Sequence, residues 1–282
     1  MSEALQYDIY VVVIYIIVFL FGAVVGSFLN VCIYRLPKNE SIVKSNSHCM
    51  SCNTPILKRD LIPILSWCLL KGKCRECGAK ISPRYTVVEA LNAIGWVLIS
   101  LHFDIISCGF YAILNCLVFS ALIVVFFMDW DTQLISMYVV AVIALLAIPE
   151  YFLYSSRSGL DLKSHIIGLF IISVPMLIIA LASKEKALGM GDVYLMAAAG
   201  LYLGMARSIV AFFVGIIVAA IAGLIIKHFS GNSKFAFGPW LSIGILVSIV
   251  WGWDLANLYM NFTGLGELIY GEGYVSRLPF GY

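Results

Sequence analysis

Long apolar segments constrain this chain more than any other feature of its sequence. An α-helix needs about 20 apolar residues to cross the hydrocarbon core of a bilayer. About eight segments reach or approach that length, at approximately residues 9–34, 86–103, 107–128, 135–154, 164–183, 191–205, 207–228 and 237–260. Charged residues make up 12% of the chain, against roughly 25% in soluble domains. The sequence therefore predicts an all-α polytopic membrane protein with about eight transmembrane helices.

Two of these segments contain residues that interrupt helices. Pro175 lies inside the fifth segment, where its ring and its missing N–H are expected to kink the helix. The sixth segment, 191–205, is short and contains Gly200 and Gly204, so its boundary with the seventh is weakly defined.

The distribution of basic residues predicts the orientation in the membrane. Residues 35–85 form one long polar insert that holds ten of the 18 Lys and Arg residues. Positive residues near span ends stay in the cytoplasm, so we expect this insert inside and the N-terminus outside. With eight crossings, 14 of the 18 basic residues fall inside. A chain of this kind is expected to cross a cell membrane several times.

This orientation divides the chain into four expected regions. Residues 1–34 form a first transmembrane helix, 35–85 a cytoplasmic insert, 86–260 a transmembrane core and 261–282 an extracytoplasmic tail. No Lys or Arg precedes the first apolar segment, so we expect a retained helix there rather than a cleaved signal peptide. The net charge of +2 is too small to indicate nucleic-acid binding. Nothing in the sequence predicts the oligomeric state.

Two aspartates lie at the ends of apolar segments that should reach the same membrane face. Asp129 follows the third segment, and Asp192 opens the sixth, after Gly189 and Gly191. Two carboxylates that meet at one depth can share a proton, because both cannot ionise easily. One could then activate water while the other polarises a peptide carbonyl. The two glycines would allow the backbone to turn sharply and approach a substrate.

Other interpretations of these aspartates stay open at this point. Asp192 at a helix start also favours the helix dipole without any catalytic role. Asp131 lies at the same interface as Asp129, and the spacing does not separate them. A polytopic transporter could use Asp129 and Asp192 as ion-coupling sites, although such sites usually lie near the bilayer midplane.

The polar insert contains two CxxC motifs separated by 21 residues. Paired CxxC motifs at close to this spacing are typical of a tetrahedral zinc site, and reduced cytoplasmic thiols make disulfides a poor alternative. Four protein ligands leave no open position, so this zinc would be structural. The predicted ligands are Cys49, Cys52, Cys74 and Cys77.

Several stretches together resemble the type IV prepilin peptidase family. These are residues 26–37 near the end of the first segment, the two CxxC motifs, residues 60–67 between them, residues 72–78, the Gly-x-Gly-Asp motif at 189–192, and residues 237–239. They follow one another in the order typical of that family and extend over most of the chain.

The resemblance implies a fold, an activity and a substrate. Members have eight transmembrane helices and remove the leader peptide of type IV prepilins and pseudopilins after a glycine, at the cytoplasmic face of the membrane. Aligning the family's first aspartate motif on Leu134 and Ile135 makes Asp129 the first catalytic residue, and Asp192 the second. The chain departs from the family pattern at Thr86, Ser136, Met137 and Tyr194.

Many members also methylate the new N-terminal residue with S-adenosylmethionine. The chain has no glycine-rich dinucleotide-binding fingerprint that would locate this cofactor. Gly72, beside the second CxxC motif, is one candidate for close backbone approach to it. A simple turn before the motif explains Gly72 equally well.

Overall fold

The computed structural model describes residues 3–44, 47–155, 162–230 and 235–263. Within them the structure is helical, with only two isolated β-bridges. The α-helices are α1 (Glu3–Arg35), α2 (Leu65–Leu69), α3 (Arg84–His102), α4 (Gly109–Thr132), α5 (Met137–Glu150), α6 (Leu162–Ile171), α7 (Ser173–Ala182), α8 (Met190–Leu203), α9 (Met205–Ser230) and α10 (Gly238–Thr263).

Helical structure covers each predicted apolar segment. Among the described residues, six helical spans are long and apolar enough to cross a membrane, whereas α8 and the extended α5 are shorter. A multi-pass membrane protein is therefore confirmed, and the count of eight crossings stays a prediction. Most of the expected C-terminal tail, from residue 264 onward, lies outside the described residues.

The expected kink and the expected boundary are both present. The fifth segment is split into α6 and α7 at Ile172, three residues before Pro175, as the missing N–H of a proline requires. Gly204 ends α8 with φ at +78°, a conformation that favours glycine. The chain divides into two compact units, Met1–Val124 and Val125–Tyr282.

In the first unit, α1 packs closely against α3. A methyl group on Gly26 would lie 2.8 Å from the Cα of Glu89, so only glycine permits this approach. Polar side chains add hydrogen bonds: Asn92 donates to the carbonyl of Gly22 (2.7 Å), and Ser120 donates to Asn92 (2.8 Å). In a bilayer, an apolar side chain gains little by leaving lipid for a neighbouring helix. Helices therefore associate through close packing at small residues and through hydrogen bonds between buried polar groups.

In the second unit, α8 is the central helix and contacts α5, α6, α7, α9 and α10. Its crossing with α6 brings backbones into contact, because the Cβ of an alanine at Gly200 would lie 2.1 Å from the carbonyl oxygen of Gly168. Near the C-terminal end of α8, Arg207 and Glu150 form a buried ion pair at 3.5 Å. These contacts fix the helix whose first turn contains Asp192.

We expect Gly200→Ala to destabilise the protein, because the added methyl group must push α6 and α8 apart. Overpacking of this kind costs typically 1–3 kcal/mol. Thermal unfolding of the detergent-purified protein measures the effect as a lowered Tm. Gly109→Ala is the matched control, since a methyl group there meets nothing within 4 Å. Equal melting temperatures for the two variants would contradict the close crossing.

Candidate active site

Asp129 lies in the last turn of α4 with its side chain directed into the second unit. It is 6% exposed, and its Oδ2 accepts a hydrogen bond from the backbone N–H of Gly238 at 2.9 Å. Asp131 is exposed to solvent or lipid. Positions two apart on an α-helix point to nearly opposite sides, so only one of these aspartates can face the interior. The structure thus separates two residues that the spacing alone could not.

Asp192 lies in the first turn of α8, where Gly189 is the N-cap residue. Its carboxylate accepts a hydrogen bond from the backbone N–H of Gly189, as an acidic residue three positions after the N-cap often does. The side chain is 8% exposed, and its Oδ1 is buried without a hydrogen-bond partner among the described residues. The Oδ1 of Asp192 can therefore accept a further hydrogen bond.

The two carboxylates lie close enough for the charge of Asp129 to act directly on Asp192. Ile135 packs beside both: a methyl group on Gly191 would lie 3.0 Å from its Cβ, and one on Gly238 would lie 3.1 Å from its Cδ1. The absence of side chains on Gly191 and Gly238 lets three segments meet around the pair. Gly191 thus serves helix packing, while Gly189 holds the carboxylate of Asp192.

The role of Gly238 could not be deduced from the sequence. A methyl group on Gly238 would lie 2.8 Å from the Oδ2 of Asp129, so the residue is too close to the carboxylate to carry a side chain. Its N–H belongs to the first turn of α10, where helix donors lack intrahelical partners. The sequence signal is the Gly-Pro pair at a helix start, since proline favours the first turn. Nothing in that pair names Asp129 as the partner.

An aromatic cluster borders the carboxylates, and sequence analysis did not identify it. Trp130 follows Asp129, stacks on Phe126 and meets Trp240 edge to face, and Trp240 stacks on Phe235. Trp130 is 52% exposed. The cluster therefore offers an exposed apolar surface that includes the residue next to Asp129.

Ser136, one of the positions at which the chain departs from the family pattern, lies directly before α5. Ser136 has an extended conformation, and its carbonyl accepts hydrogen bonds from the N–H groups of Val139 and Val140. The helix therefore begins normally at Met137, with Ser136 as its N-cap residue.

The four insert cysteines converge in the first unit. Their Sγ atoms all lie within 4.8 Å of one another. The Sγ atoms of Cys49 and Cys77 are 3.8 Å apart, which equals the edge of about 3.8 Å implied by a tetrahedron of 2.3 Å Zn–S bonds. The donor set and its spacing therefore fit a tetrahedral zinc ion.

The two CxxC turns have the same backbone pattern. Asn53 and Gly78 both have positive φ, and their N–H groups donate to the carbonyls of Cys49 and Cys74 respectively. Each turn is closed by a return bond, in which the N–H of the first cysteine donates to the residue five positions on. Two equivalent turns of this kind present two thiols each to a common centre.

Hydrogen bonds prepare part of this cluster for ionisation. The backbone N–H of Ser51 lowers the pKa of Cys49, and the backbone N–H of Cys77 lowers the pKa of Cys74. The backbone N–H of Ala79 likewise acts to lower the pKa of Cys77. Desolvation and hydrogen bonds with the neighbouring thiols outweigh it and raise that pKa to about 11. Full ionisation of all four thiols thus requires a compensating positive charge, such as a divalent metal ion.

Gly72 lies at a turn with φ at +67°, and a methyl group there would lie 2.9 Å from the ring of Trp67. Turn conformation and packing are enough to explain a glycine at this position. Its role in cofactor binding stays a prediction.

The positions of the aspartates argue against the transporter interpretation. Asp129 is in the last turn of its helix and Asp192 in the first turn of its own, rather than in broken helices halfway across a bilayer. Two carboxylates at helix ends can meet a peptide that lies at the membrane surface.

Comparisons with known proteins agree with this geometry. The family model for the bacterial peptidase A24 N-terminal domain matches residues 20–103, and that for the type IV leader peptidase family matches residues 116–224. The chain is 33% identical to the "Type 4 prepilin-like proteins leader peptide-processing enzyme" of Escherichia coli O78:H11, over 81% of this chain and 90% of the relative.

Two further relatives carry the name "Prepilin leader peptidase/N-methyltransferase". The protein of Aeromonas salmonicida is 29% identical, over 87% of this chain and 93% of the relative. The protein of Bacillus subtilis is 28% identical, over 88% of this chain and 98% of the relative. No solved structure matches the chain significantly.

Proposed function

Because the chain belongs to the type IV leader peptidase family, we propose that Asp129 and Asp192 are the catalytic pair of a membrane aspartic endopeptidase. The enzyme is a prepilin leader peptidase. The observation that supports this pair is its geometry: two buried carboxylates from distant helices interact electrostatically, and one oxygen of Asp192 has no hydrogen-bond partner among the described residues.

The mechanism uses one proton held between the two carboxyl groups. The ionised carboxylate takes a proton from a water molecule, whose oxygen attacks the scissile carbonyl carbon, while the protonated carboxyl group donates to the carbonyl oxygen. The peptide C–N bond then breaks, and the leaving amine takes up a proton from the pair. The hydrogen bonds from Gly238 and Gly189 orient the two carboxylates throughout.

The proposed substrate is a type IV prepilin or pseudopilin, cut after a glycine. Such a substrate has a basic leader followed by an apolar helix, so its cleavage site lies where bilayer meets water. The two aspartates occupy helix ends, which suits that depth. The exposed aromatic surface of Trp130 and its neighbours offers a contact for the apolar residues that follow the cut.

We place the active site at the cytoplasmic face of the bacterial cell membrane, with eight crossings and the N-terminus outside. The basic insert supports this orientation. The two shorter helices, α5 and α8, would complete the eight crossings. Most residues of α8 are buried by protein, and α5 packs against it, so the second unit can accommodate these shorter helices.

After cleavage, the enzyme is proposed to methylate the new N-terminal amine. S-adenosylmethionine supplies an activated methyl group when bound, because its sulfonium is a good leaving group. This activity is inferred from the names of the relatives.

The four insert cysteines are proposed to hold a structural zinc ion. The insert between α1 and α3 has little regular structure besides α2 and short 3₁₀ turns. Segments this small usually need a metal or a disulfide for stability. Zinc would therefore fold the insert rather than take part in cleavage.

Replacing either catalytic aspartate should abolish leader cleavage. We expect Asp129→Asn and Asp192→Asn each to lower the cleavage rate by on the order of 10³-fold or more, because asparagine cannot exchange a proton. The measurement is product mass after incubating purified enzyme with a prepilin. The matched control is Asp131→Asn, which should stay within a few-fold of the unmodified enzyme. Loss of cleavage in Asp131→Asn with activity kept in Asp129→Asn would reverse the assignment.

A methyl group at Gly238 should impair cleavage without contacting the substrate itself. In Gly238→Ala the new Cβ would displace the carboxylate of Asp129, and a misplacement of about 1 Å can cost roughly 10²-fold in rate. The cleavage assay above measures this, with Gly109→Ala as the control for a neutral glycine replacement. Normal cleavage by Gly238→Ala would refute the close contact.

The purified protein should contain about one zinc ion per chain. Cys77→Ser removes one of four ligands and should lower the zinc content measured by mass spectrometry after dialysis. Cys68→Ser is the matched control, because Cys68 is a free, exposed cysteine of the same insert outside the cluster. Zinc that is absent from the unmodified protein, or retained by Cys77→Ser, would contradict the proposed site.

A further inference from the structure

The hydrogen bond that orients Asp192 comes from its own helix. The donor is the N–H of Gly189, the N-cap residue of α8, whereas Asp129 is held by Gly238 of a different helix, α10. Because the bond from Gly189 moves with α8, it cannot set the distance between the two acids. That distance therefore also depends on contacts that hold α8 along its axis.

The C-terminal end of α8 is held by side chains from two other helices. The last carbonyls of a helix lack intrahelical donors. The Nδ1 of His165, in α6, lies 2.9 Å from the carbonyl oxygen of Leu201. The Nε of Arg207, in α9, donates to the carbonyl of Leu203 at 2.8 Å. His165 is 1% exposed and Arg207 is 2% exposed, so water does not compete for these carbonyls.

The short length of α8 makes these donors important. Its 14 residues extend over about 21 Å, against roughly 30 Å for the hydrocarbon core of a bilayer. A helix that begins at one membrane surface therefore ends within the apolar region, where an unpaired carbonyl costs several kcal/mol. A shift of about 1 Å along the helix axis can break the bond to Leu201, so the bond resists such a shift.

Consecutive residues of α6 hold both sides of the turn that ends α8. Next to His165, the hydroxyl oxygen of Ser164 accepts a hydrogen bond from the N–H of Met205, the first residue of α9, at 3.2 Å. One turn further along α6, a methyl group on Gly168 would lie 2.5 Å from the carbonyl oxygen of Gly200. The first two turns of α6 therefore hold the end of α8 and the start of α9.

The contact with Leu201 requires one particular form of the imidazole ring. A carbonyl oxygen can only accept a hydrogen bond, so Nδ1 must carry a proton. The other nitrogen, Nε2, is buried and has no hydrogen-bond partner among the described residues. The ring packs edge to face against Tyr151, with the ring centroids 5.4 Å apart. Nδ1 is therefore the nitrogen through which His165 connects α6 to α8.

We propose that His165 is a positioning residue for cleavage, which holds α8 along its axis through Leu201 and so sets the distance between Asp192 and Asp129. Leu201 lies about 14 Å from Asp192 along the helix, and over that length a helix carries a displacement from one end to the other. The proposal rests on the proposed function, because that distance matters to catalysis only if the two acids are the proteolytic pair.

Three substitutions separate the hydrogen bond from the volume of the ring. His165→Leu has no donor, His165→Asn places an amide N–H close to the position of Nδ1, and His165→Gln places its amide near that of Nε2. We expect kcat for prepilin cleavage to fall at least about tenfold in the Leu and Gln variants, and KM to change less than about threefold. The Asn variant should stay within about threefold of the unmodified enzyme. His228→Leu, at an exposed histidine near the end of α9, is the matched control and should cleave normally.

The dependence of kcat/KM on pH distinguishes positioning from a loss of folded protein. Two carboxylates that lie farther apart influence each other less, so their two ionisations come closer together. We expect the pH range of activity to narrow by at least about half a pH unit in His165→Leu and to keep its width in His165→Asn. A smaller folded fraction would lower the height of the profile without changing its width.

An unchanged width in His165→Leu would overturn the proposal, and so would equal activities of His165→Asn and His165→Gln. If His165→Leu does not fold, the comparison of the Asn and Gln variants is the test. If the unmodified enzyme cleaves a prepilin while the variants keep its rate and pH range, only the role of His165 fails. If the unmodified enzyme does not cleave a prepilin, the proposed function fails, and this role fails with it.

A measurement on the unmodified enzyme does not depend on the stability of any variant. Nitrogen-15 NMR of the full chain with labelled histidines shows which ring nitrogens carry a proton. The chain has four histidines, and the signals of His165 are those missing from His165→Asn or His165→Gln. We expect the Nδ1 of His165 to carry a proton, because it donates to Leu201. An Nδ1 without a proton would overturn the proposal.

Discussion

The second unit depends on the meeting of two buried carboxylates whose positions are set by backbone N–H groups. Carboxylates in an apolar helical environment lose hydration, so donors must replace the lost water. The first turns of α8 and α10 supply them, through Gly189 for Asp192 and Gly238 for Asp129. Donors in the first turn of a helix have no intrahelical partner, and the helix dipole there favours negative charge. The same arrangement therefore stabilises both acids at positions where the charge of Asp129 acts on Asp192.

The two carboxylates stay close only if the helices that carry them keep a fixed position relative to their neighbours. The contact of α6 with α8 at Gly168 and Gly200 is a backbone-to-backbone crossing, and the buried pair of Glu150 and Arg207 anchors the unit near the other end of α8. Removing one member of a buried ion pair typically costs about 3–5 kcal/mol. Rigid packing along α8 thus keeps Asp192 within the range where Asp129 can influence it.

The sequence predicted the helices well because lipid imposes a simple rule. A span must be apolar, helical and about 20 residues long, so hydropathy alone located the helical segments, and Pro175 marked the break after α6. Hydropathy and spacing could not choose between Asp129 and Asp131, which share an interface and differ only in the helix face they occupy. Only the resemblance to the family favoured Asp129. Which face of a helix points inward depends on how that helix packs against its neighbours, and this packing cannot be read from one segment of sequence. The contact that identifies Asp129 comes from Gly238, 109 residues further along the chain.

In the polar insert, the sequence predicted the site itself but not the backbone conformation around it. Its cysteine spacing indicated a metal site, since ligand geometry is a local property of each CxxC turn. The strained turn at Ile64, where φ is +63°, and the hydrogen bond from its N–H to Glu89 gave no sequence signal, because neither residue type suggests that conformation.

The distribution of groups between the two units bears on how one chain could carry two chemistries. The carboxylates and their N–H donors all lie after residue 125, whereas the thiol cluster lies before it. Hydrolysis needs water and a shared proton at the peptide, while methyl transfer to an amine needs a sulfonium protected from both. The groups proposed for hydrolysis therefore all belong to one compact unit, which contains no part of the thiol cluster.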